Sequence, residues 1–189
     1  MLKQILKIYL FFFIMTNQAS AEEIFRDDFE DSSKWKFIAD DVMGGLSTGS
    51  VVYEMEEGTS IAYLNGEVST ENNGGFIQLQ RKLKDVDLDQ ARFIKIIARG
   101  NNQKYFIHLR TTGTILPWQY YQSSFTVKEK YQEFILPLDE FKRSGSFLSD
   151  KVKPRTIKSI GVVAFGRDHV ANLYVNCLLY TSPSPRDNR

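Results

Sequence analysis

The sequence predicts an all-β domain, either a β-sandwich or a jelly roll, from three observations. Apolar residues recur mainly with a period of two, as in Val51, Tyr53 and Met55. Turn-forming pairs such as Glu57-Gly58 separate these runs at intervals of about 8 to 12 residues. No segment keeps the period of about 3.6 residues that an amphipathic helix requires. These patterns together favour many short strands packed as two sheets.

The strands are expected in one uninterrupted series, since no repeat or linker divides the chain. Roughly nine or ten are indicated, including 51–56, 62–68, 93–98, 105–110, 118–125, 131–136, 159–165 and 171–175. The run 93–98 is almost continuously apolar, which is typical of a strand covered on both faces. Residues 83–88 and 138–141 are candidates for short helices.

Residues 1–21 are interpreted as an export signal. Lys3 and Lys7 precede an apolar run at 8–15, and Ala19-Ser20-Ala21 is a small-x-small cleavage site. The run is too short for a bilayer of about 30 Å, which needs roughly 20 residues. We expect a periplasmic or secreted protein, with membrane contact only if the signal stays uncleaved as an anchor.

Residues 177–189 resemble the conceptual translation of a sequencing-library transposon adapter, and they contain the segment Ser182-Pro183-Ser184-Pro185. Adapter artefacts and disordered tails are excluded from fold reasoning. We therefore expect the folded domain to comprise residues 22–176, the alternative being that 177–189 are a genuine polar tail.

Charge and cysteine content exclude several functions. The whole chain has a formal net charge of +1, and without the two terminal segments the domain becomes slightly negative. This argues against nucleic acid, which calls for a basic surface. The only cysteine, Cys177, lies in the presumed tail, so we expect no disulfide, no cysteine metal ligand and no cofactor.

Two loops combine short polar residues with paired glycines. The first is 39–47, and the second is 71–76. Glycine pairs are used where the backbone needs positive φ or close approach, so we expect at least one glycine of each pair to have positive φ. The candidate binding residues here are Asp40, Asp41, Gly44, Gly45, Asn72 and Asn73.

These loops resemble the Asp-x-Val-Met-Gly-Gly-x-Ser and Asn-Asn-Gly-Gly-Phe motifs of the complex I intermediate-associated protein 30 family. The resemblance extends over about residues 25–170 and includes Leu64-Asn65-Gly66, Trp118-Gln119-Tyr120 and Pro137-Leu138-Asp139-Glu140-Phe141. It implies a galactose-binding-like jelly roll and a non-enzymatic role in NADH:ubiquinone oxidoreductase assembly. The chain departs from the family pattern at 100–105 and after Gly166.

Catalytic residues are scarce. His108 and His169 are the only histidines, and no nucleophile elbow, phosphate-binding glycine loop or metal spacing is present. A carbohydrate-active hydrolase using Asp40 or Asp41, with His108 or Arg110, is the enzymatic alternative. We favour instead an Asx-type cap of the glycine turn for the acids, and therefore a protein that is not an enzyme.

A binding surface is the stronger prediction. Trp118, Tyr120 and Gln122 share one strand face by period-two spacing, and Arg110 on the preceding strand is placed to join them. Aromatic rings beside amide and guanidinium groups suit sugars or peptides, although the rings also fit a core role. We expect an exported binding or assembly domain that engages a protein partner, the alternative being a glycan-binding module.

Overall fold

The computed structural model describes residues 21–183. Its strands are β1 Glu23–Asp27, β2 Trp35–Ala39, β3 Thr48–Glu56, β4 Thr59–Val68, β5 Phe76–Lys82, β6 Phe93–Gly100, β7 Lys104–Thr111, β8 Tyr121–Thr126, β9 Gln132–Pro137, β10 Lys142–Arg143, β11 Ile157–Phe165 and β12 His169–Thr181. Short 3-10 helices occupy Ser32–Lys34, Asp40–Met43, Glu71–Asn73, Leu138–Glu140 and Pro154–Thr156. The all-β prediction is confirmed. The export signal lies outside the described residues, apart from Ala21.

The strands form two antiparallel six-stranded sheets. Sheet A has the order β3-β4-β12-β6-β9, and β1 also pairs with β12. Sheet B has the order β10-β8-β7-β11-β5-β2. β4 pairs with residues 169–175 of β12 and β1 with residues 178–181, so these two strands share one edge of β12. Within the described part of the chain, consecutive strands pair only in β3-β4 and β7-β8, so long-range pairing sets most of the order within both sheets.

The core lies between the inner faces of the two sheets. Its members are aliphatic and aromatic side chains with almost no exposure, including Leu64, Ile77, Leu79, Ile94, Ile96, Tyr105, Ile107, Leu109, Val162 and Leu173. Full burial of one such aliphatic side chain contributes about 1.5–3 kcal/mol. Apolar packing therefore holds the two sheets together, as expected of a domain that contains no disulfide among its described residues.

One buried ion pair also connects the sheets. Asp27 at the end of β1 pairs with Arg81 of β5, and their side chains are 5% and 13% exposed. Asp27 Oδ2 also accepts a hydrogen bond of 2.9 Å from the indole nitrogen of Trp35, and Oδ1 accepts from the backbone nitrogen of Phe29. The carboxylate is thus fully partnered, as a buried charge must be.

The prediction that the folded domain ends at Asn176 is wrong, because residues 177–181 belong to β12. Cys177, Leu178 and Tyr180 are 0% exposed, and this half of β12 pairs with both β1 and β6. The run from Cys177 to Tyr180 is apolar throughout, so it fills a central position in sheet A. Residues 184–189 lie outside the described part of the chain.

Of the two predicted helical segments, only the second is helical. Leu138–Glu140 is a 3-10 helix, whereas residues 83–88 form a turn and irregular chain. Asp85 has a φ of 61°, and the Asp87 carboxylate accepts a 2.9 Å hydrogen bond from the Asp89 nitrogen. Both features favour a turn over a helix. Leu83 and Leu88 are buried, so their spacing reflects core contact.

Candidate functional site

The Asp40 carboxylate joins the two glycine loops. Asp40 is 0% exposed. Its Oδ1 accepts from the Ser47 nitrogen at 2.9 Å, and its Oδ2 accepts from Ser47 Oγ at 2.6 Å. Oδ2 also accepts from the backbone nitrogens of Gly75 and Phe76 in the second loop. One side chain therefore fixes residues of both loops. The role of the Asp40 carboxylate is structural, and the group is not exposed as an acid at the surface.

The protonation of Asp40 follows from these contacts. Burial by itself would raise the pKa of the carboxyl, but hydrogen bonds from Gly75, Ser47 and Phe76 outweigh burial and lower the pKa below its ordinary value. A general acid needs the opposite shift. None of its hydrogen bonds within residues 21–183 comes from His108 or Arg110, the catalytic partners considered above.

The glycines meet two backbone requirements. Gly44 has a φ of 85° and Gly75 a φ of 126°, which confirms that each pair contains a residue of positive φ. Gly45 is needed for close approach, because a Cβ there would overlap the Asp40 side chain. Asn72 and Asn73 are exposed and also have positive φ, at 56° and 59°.

Asp41 and three apolar residues lie on the outside of the first loop. Asp41 is exposed and accepts a 2.9 Å hydrogen bond from the nitrogen of Val42. Val42, Met43 and Leu46 are 71%, 55% and 51% exposed. The internal hydrogen bonds of the loop thus present apolar side chains to the surface.

Sheet B carries a second candidate surface on its outer face, the face turned away from sheet A. Register places one row of residues across neighbouring strands: Lys142, Gln122, His108, Gly161, Gln80 and Lys36. The adjacent row is Ser124, Phe106, Val163, Gln78 and Ile38. Uncharged amides and aromatic rings therefore occupy the middle of this face.

Four rings form an aromatic cluster on this outer face, defined by Phe106, His108, Tyr120 and Phe165. The His108 and Tyr120 rings are stacked, with centroids 4.1 Å apart and an interplanar angle of 9°. Phe165 meets His108 edge-on at 5.3 Å, and Phe106 meets Phe165 edge-on at 5.7 Å. All four are half-buried, so ring surface remains available.

Two buried polar atoms border the aromatic cluster. Among residues 21–183, no atom lies in hydrogen-bonding geometry with His108 Nε2 or Gln122 Oε1. Burial lowers the pKa of His108 to about 4, and the nearby Gln122 amide offsets part of that effect. His108 is therefore a neutral ring at physiological pH, and its half-buried side chain adds an uncharged aromatic surface to the outer face.

Arg110, Tyr120 and Gln122 are brought together on the outer face, and Trp118 lies in the adjoining loop. The Arg110 guanidinium donates to the carbonyls of Leu116 at 3.0 Å and of Thr114 and Pro117 at 3.3 Å. Trp118 is 64% exposed and precedes β8, so the predicted strand begins too early. The two glycine loops lie far from Arg110 along β5, at the end of that strand where Phe76 stands.

A cleft of about 530 Å³ lies at the Arg110 end of sheet B. Its lining residues are Gln80, Lys82, Leu83, Lys84, Arg110, Thr111, Thr114, Lys158 and Ser159. A larger cleft of about 760 Å³ lies elsewhere, and its lining combines acids such as Asp139 with bases such as Arg155. Only the first cleft adjoins the aromatic cluster, through Arg110.

The outer face also contains residues that sequence reasoning missed. Gln78 and Gln80 come from β5, Phe106 from β7 and Phe165 from β11. Period two indicates that Phe106, His108 and Arg110 share a face. It does not indicate that β5 and β11 continue that face, because this depends on sheet order.

In residues 21–183, His, Cys, Asp and Glu side chains form no group of three suited to a metal ion. Across the same range, no helix has the length and apolar character needed to cross a membrane.

Solved structures define the class of fold. The family 11 carbohydrate-binding module of the cellulosomal cellulase Lic26A-Cel5E of Clostridium thermocellum aligns with a TM-score of 0.67 at 15% identity, covering 87% of this chain and 96% of that module. The Clostridium thermocellum module in complex with a β-1,3-1,4-mixed-linked tetrasaccharide also scores 0.67, at 16% identity, covering 87% and 98%. An exo-β-agarase aligns over 88% of this chain and 26% of its own, with a TM-score of 0.55 at 11% identity. The fold is thus the β-sandwich jelly roll of carbohydrate-binding modules.

The sequence identifies the family. The sequence model of the family Complex I intermediate-associated protein 30 matches residues 24–172. The chain belongs to this family. No curated protein matches the sequence.

Proposed function

We propose that this chain is an exported, non-catalytic binding domain whose ligand is a glycan lying across the outer face of sheet B. The observation that carries the proposal is the aromatic cluster, in which the stacked His108 and Tyr120 rings lie 4.1 Å apart on a solvent-facing sheet surface. Core packing alone does not require stacked rings on an outer face.

The chemistry of the face suits a sugar chain. A pyranose ring has an apolar C–H face, which stacks on aromatic rings, and polar edges, which need hydrogen-bond partners. The amides of Gln78, Gln80 and Gln122 lie beside the cluster, and Gln122 Oε1 is without a partner among residues 21–183. Amide side chains both donate and accept hydrogen bonds, so this face offers partners of both kinds to the hydroxyls of a sugar.

Sheet A provides an instructive contrast. Its outer face carries a stacked pair, Tyr63 and Tyr174, with ring centroids 4.2 Å apart. The Arg99 guanidinium lies 3.8 Å from the Tyr174 centroid and pairs with Glu56, which also accepts from Tyr131. This pair is covered by a network of the protein's own groups, so sheet B is the better candidate surface.

The solved structures support the proposal at the level of architecture. The Clostridium thermocellum module in complex with a tetrasaccharide shares the sandwich, which supports a sugar as the ligand of this fold. The absence of catalysis is supported by the locked Asp40 carboxylate and by the scarcity of histidine. Export is supported by the signal-like pattern of residues 1–21.

The test is a Tyr120→Ala variant, with Tyr174→Ala as the matched control on the opposite sheet. Affinity electrophoresis against soluble polysaccharides should show binding by the unaltered chain. Losing one stacking ring should weaken affinity about tenfold for Tyr120→Ala, since an aromatic pair contributes about 0.5–1.5 kcal/mol beyond burial. Tyr174→Ala should bind normally. Equal affinity of the two variants, each with a native circular dichroism spectrum, would refute the assignment to sheet B.

A protein partner is the second candidate, favoured by the exposed Val42, Met43 and Leu46 on the hydrogen-bonded first loop. Contiguous exposed apolar residues mark interaction surfaces. This site corresponds to the assembly role that the family name suggests. A Val42→Ser/Met43→Ser variant should lose a saturable partner that the unaltered chain captures from periplasm, while Tyr120→Ala retains it. Partner capture that is unaffected by the loop variant would exclude this loop as the docking site.

A further inference from the structure

Four cationic side chains gather at one end of the outer face of sheet B. Lys82, Lys84, Arg110 and Lys158 line the 530 Å³ cleft, and its lining includes no carboxylate. Across residues 21–183, none of the four lies within ion-pairing distance of Asp or Glu. A whole chain with a net charge of only +1 thus concentrates uncompensated positive charge in one place.

The strands hold these charges in a fixed arrangement. Ser159 of β11 lies opposite Lys82 of β5 on one side and Arg110 of β7 on the other. Like charges are therefore held two strands apart, a separation of about 10 Å. Three backbone carbonyls orient the Arg110 guanidinium, which leaves it positioned without any neutralising partner.

The cleft continues the proposed glycan surface. Arg110 follows His108 by two residues on β7 and shares its face. Tyr120, which stacks on His108, directly follows the loop whose carbonyls hold Arg110. A chain lying on the aromatic cluster and extending along β7 would therefore pass from uncharged amides into the basic cleft.

We propose that the ligand is an acidic polysaccharide, whose carboxylate or sulfate groups bind Lys82, Arg110 and Lys158. This inference rests on the proposed glycan-binding function and specifies its substrate class. Charge-assisted hydrogen bonds from guanidinium and ammonium groups to such anions are the strong kind. Gln80 and the hydroxyl of Ser159 are placed in the same cleft for sugar hydroxyls. A nucleic acid would call for cations along the whole track, whereas the middle of the row across the aromatic cluster carries the uncharged side chains of Gln122, His108 and Gln80.

The experiment compares three polymers by affinity electrophoresis: polygalacturonate, a sulfated galactan and a neutral mixed-linked β-glucan. The acidic polymers should bind more tightly than the neutral one, and the difference should shrink as salt rises from about 0.15 M to 1 M, where screening shortens from about 8 to 3 Å. Preference for carboxylate or for sulfate identifies which acid is recognised.

The variant Lys82→Gln/Lys158→Gln should lower affinity for the acidic polymer about tenfold. Its matched control is Lys128→Gln/Lys130→Gln, two exposed lysines following β8 at the opposite end of β7, which should leave binding unchanged. Both variants alter exposed side chains, so circular dichroism should show the native fold.

The outcomes separate this inference from the proposed function. Equal binding of neutral and acidic polymers, lost in Tyr120→Ala and unaffected by the lysine variants, would overturn the acidic ligand and leave glycan binding intact. Absence of binding to all three polymers would overturn both. Tighter binding of a single-stranded oligonucleotide or a polyglutamate peptide than of either acidic polymer would also overturn the inference.

Discussion

Replacing Asp40 with Ala tests the role of its carboxylate in joining the two glycine loops. The change removes the acceptor of four hydrogen bonds, from Ser47 N, Ser47 Oγ, Gly75 N and Phe76 N. Each buried donor left without a partner costs about 1–3 kcal/mol. Ser47 Oγ retains the Ser69 carbonyl at 3.2 Å, and Phe76 N is only partly buried. The free energy of unfolding should therefore fall by about 3–5 kcal/mol, a large part of the typical value of about 5–15 kcal/mol.

Asp40→Asn separates charge from shape. Its amide oxygen can replace Oδ2, but the NH₂ group then faces the Ser47 nitrogen, which is itself a donor. We expect Asp40→Asn to lower the free energy of unfolding by about 2–4 kcal/mol. Asp41→Asn is the matched control, because Asp41 is exposed and, among residues 21–183, its side chain bonds only the Val42 nitrogen of its own turn. It should stay within about 0.5 kcal/mol of the unaltered chain.

The assay is urea denaturation followed by tryptophan fluorescence, since Trp35 is 7% exposed in the native state. The folded-state pKa of Asp40 is lowered, so its stabilisation is fully present above the unfolded-state value of about 3.9 and is lost as pH falls through the lower folded value. This acid-induced loss should be absent in Asp40→Asn. The structural role of Asp40 would be refuted if Asp40→Ala and Asp41→Asn were equally stable.

Three further changes probe the fold. Ending the chain at Asn176 removes the buried half of β12 and should prevent cooperative thermal unfolding. Ending the chain at Pro183 should leave the melting curve unchanged. Two equal melting curves would contradict the pairing of β12 with β1 and β6. Gly75→Ala should cost about 1–3 kcal/mol because its φ is 126°, while Gly145→Ala, with open space around it, should be neutral in the same urea assay. Burial lowers the His108 pKa to about 4, so its neutral ring stabilises the fold fully above about pH 6.5 and progressively less as pH falls toward 4. His108→Gln should remove that part of the pH dependence, which amounts to about 1.4 kcal/mol in the free energy of unfolding for each unit of pKa shift. An unchanged profile of stability against pH would disprove the effect of burial on His108.

Local patterns determined the fold class and the loop conformation of this protein. Alternation along Val51 and Tyr53 indicates that one strand face is covered, and this needs no knowledge of neighbours, although the pattern ends before Met55, which is 71% exposed. Gly44 and Gly75 adopt positive φ because their own loops demand it, and the loop motifs identified the family. These features are encoded within a few consecutive residues, so they can be read without the tertiary structure.

Tertiary structure decided which strands are neighbours, and with that the candidate site. Period two places His108 and Arg110 on one face, but only the order β8-β7-β11-β5 sets Gln122, His108 and Gln80 in one row. Asp40 likewise bonds Gly75, which is 35 residues away in the chain. The role of Cys177–Tyr180 was missed for the same reason, since an apolar run becomes a central strand only when β1 and β6 lie beside it. Sheet order depends on the packing of both sheets around one core, and no short stretch of sequence contains that information.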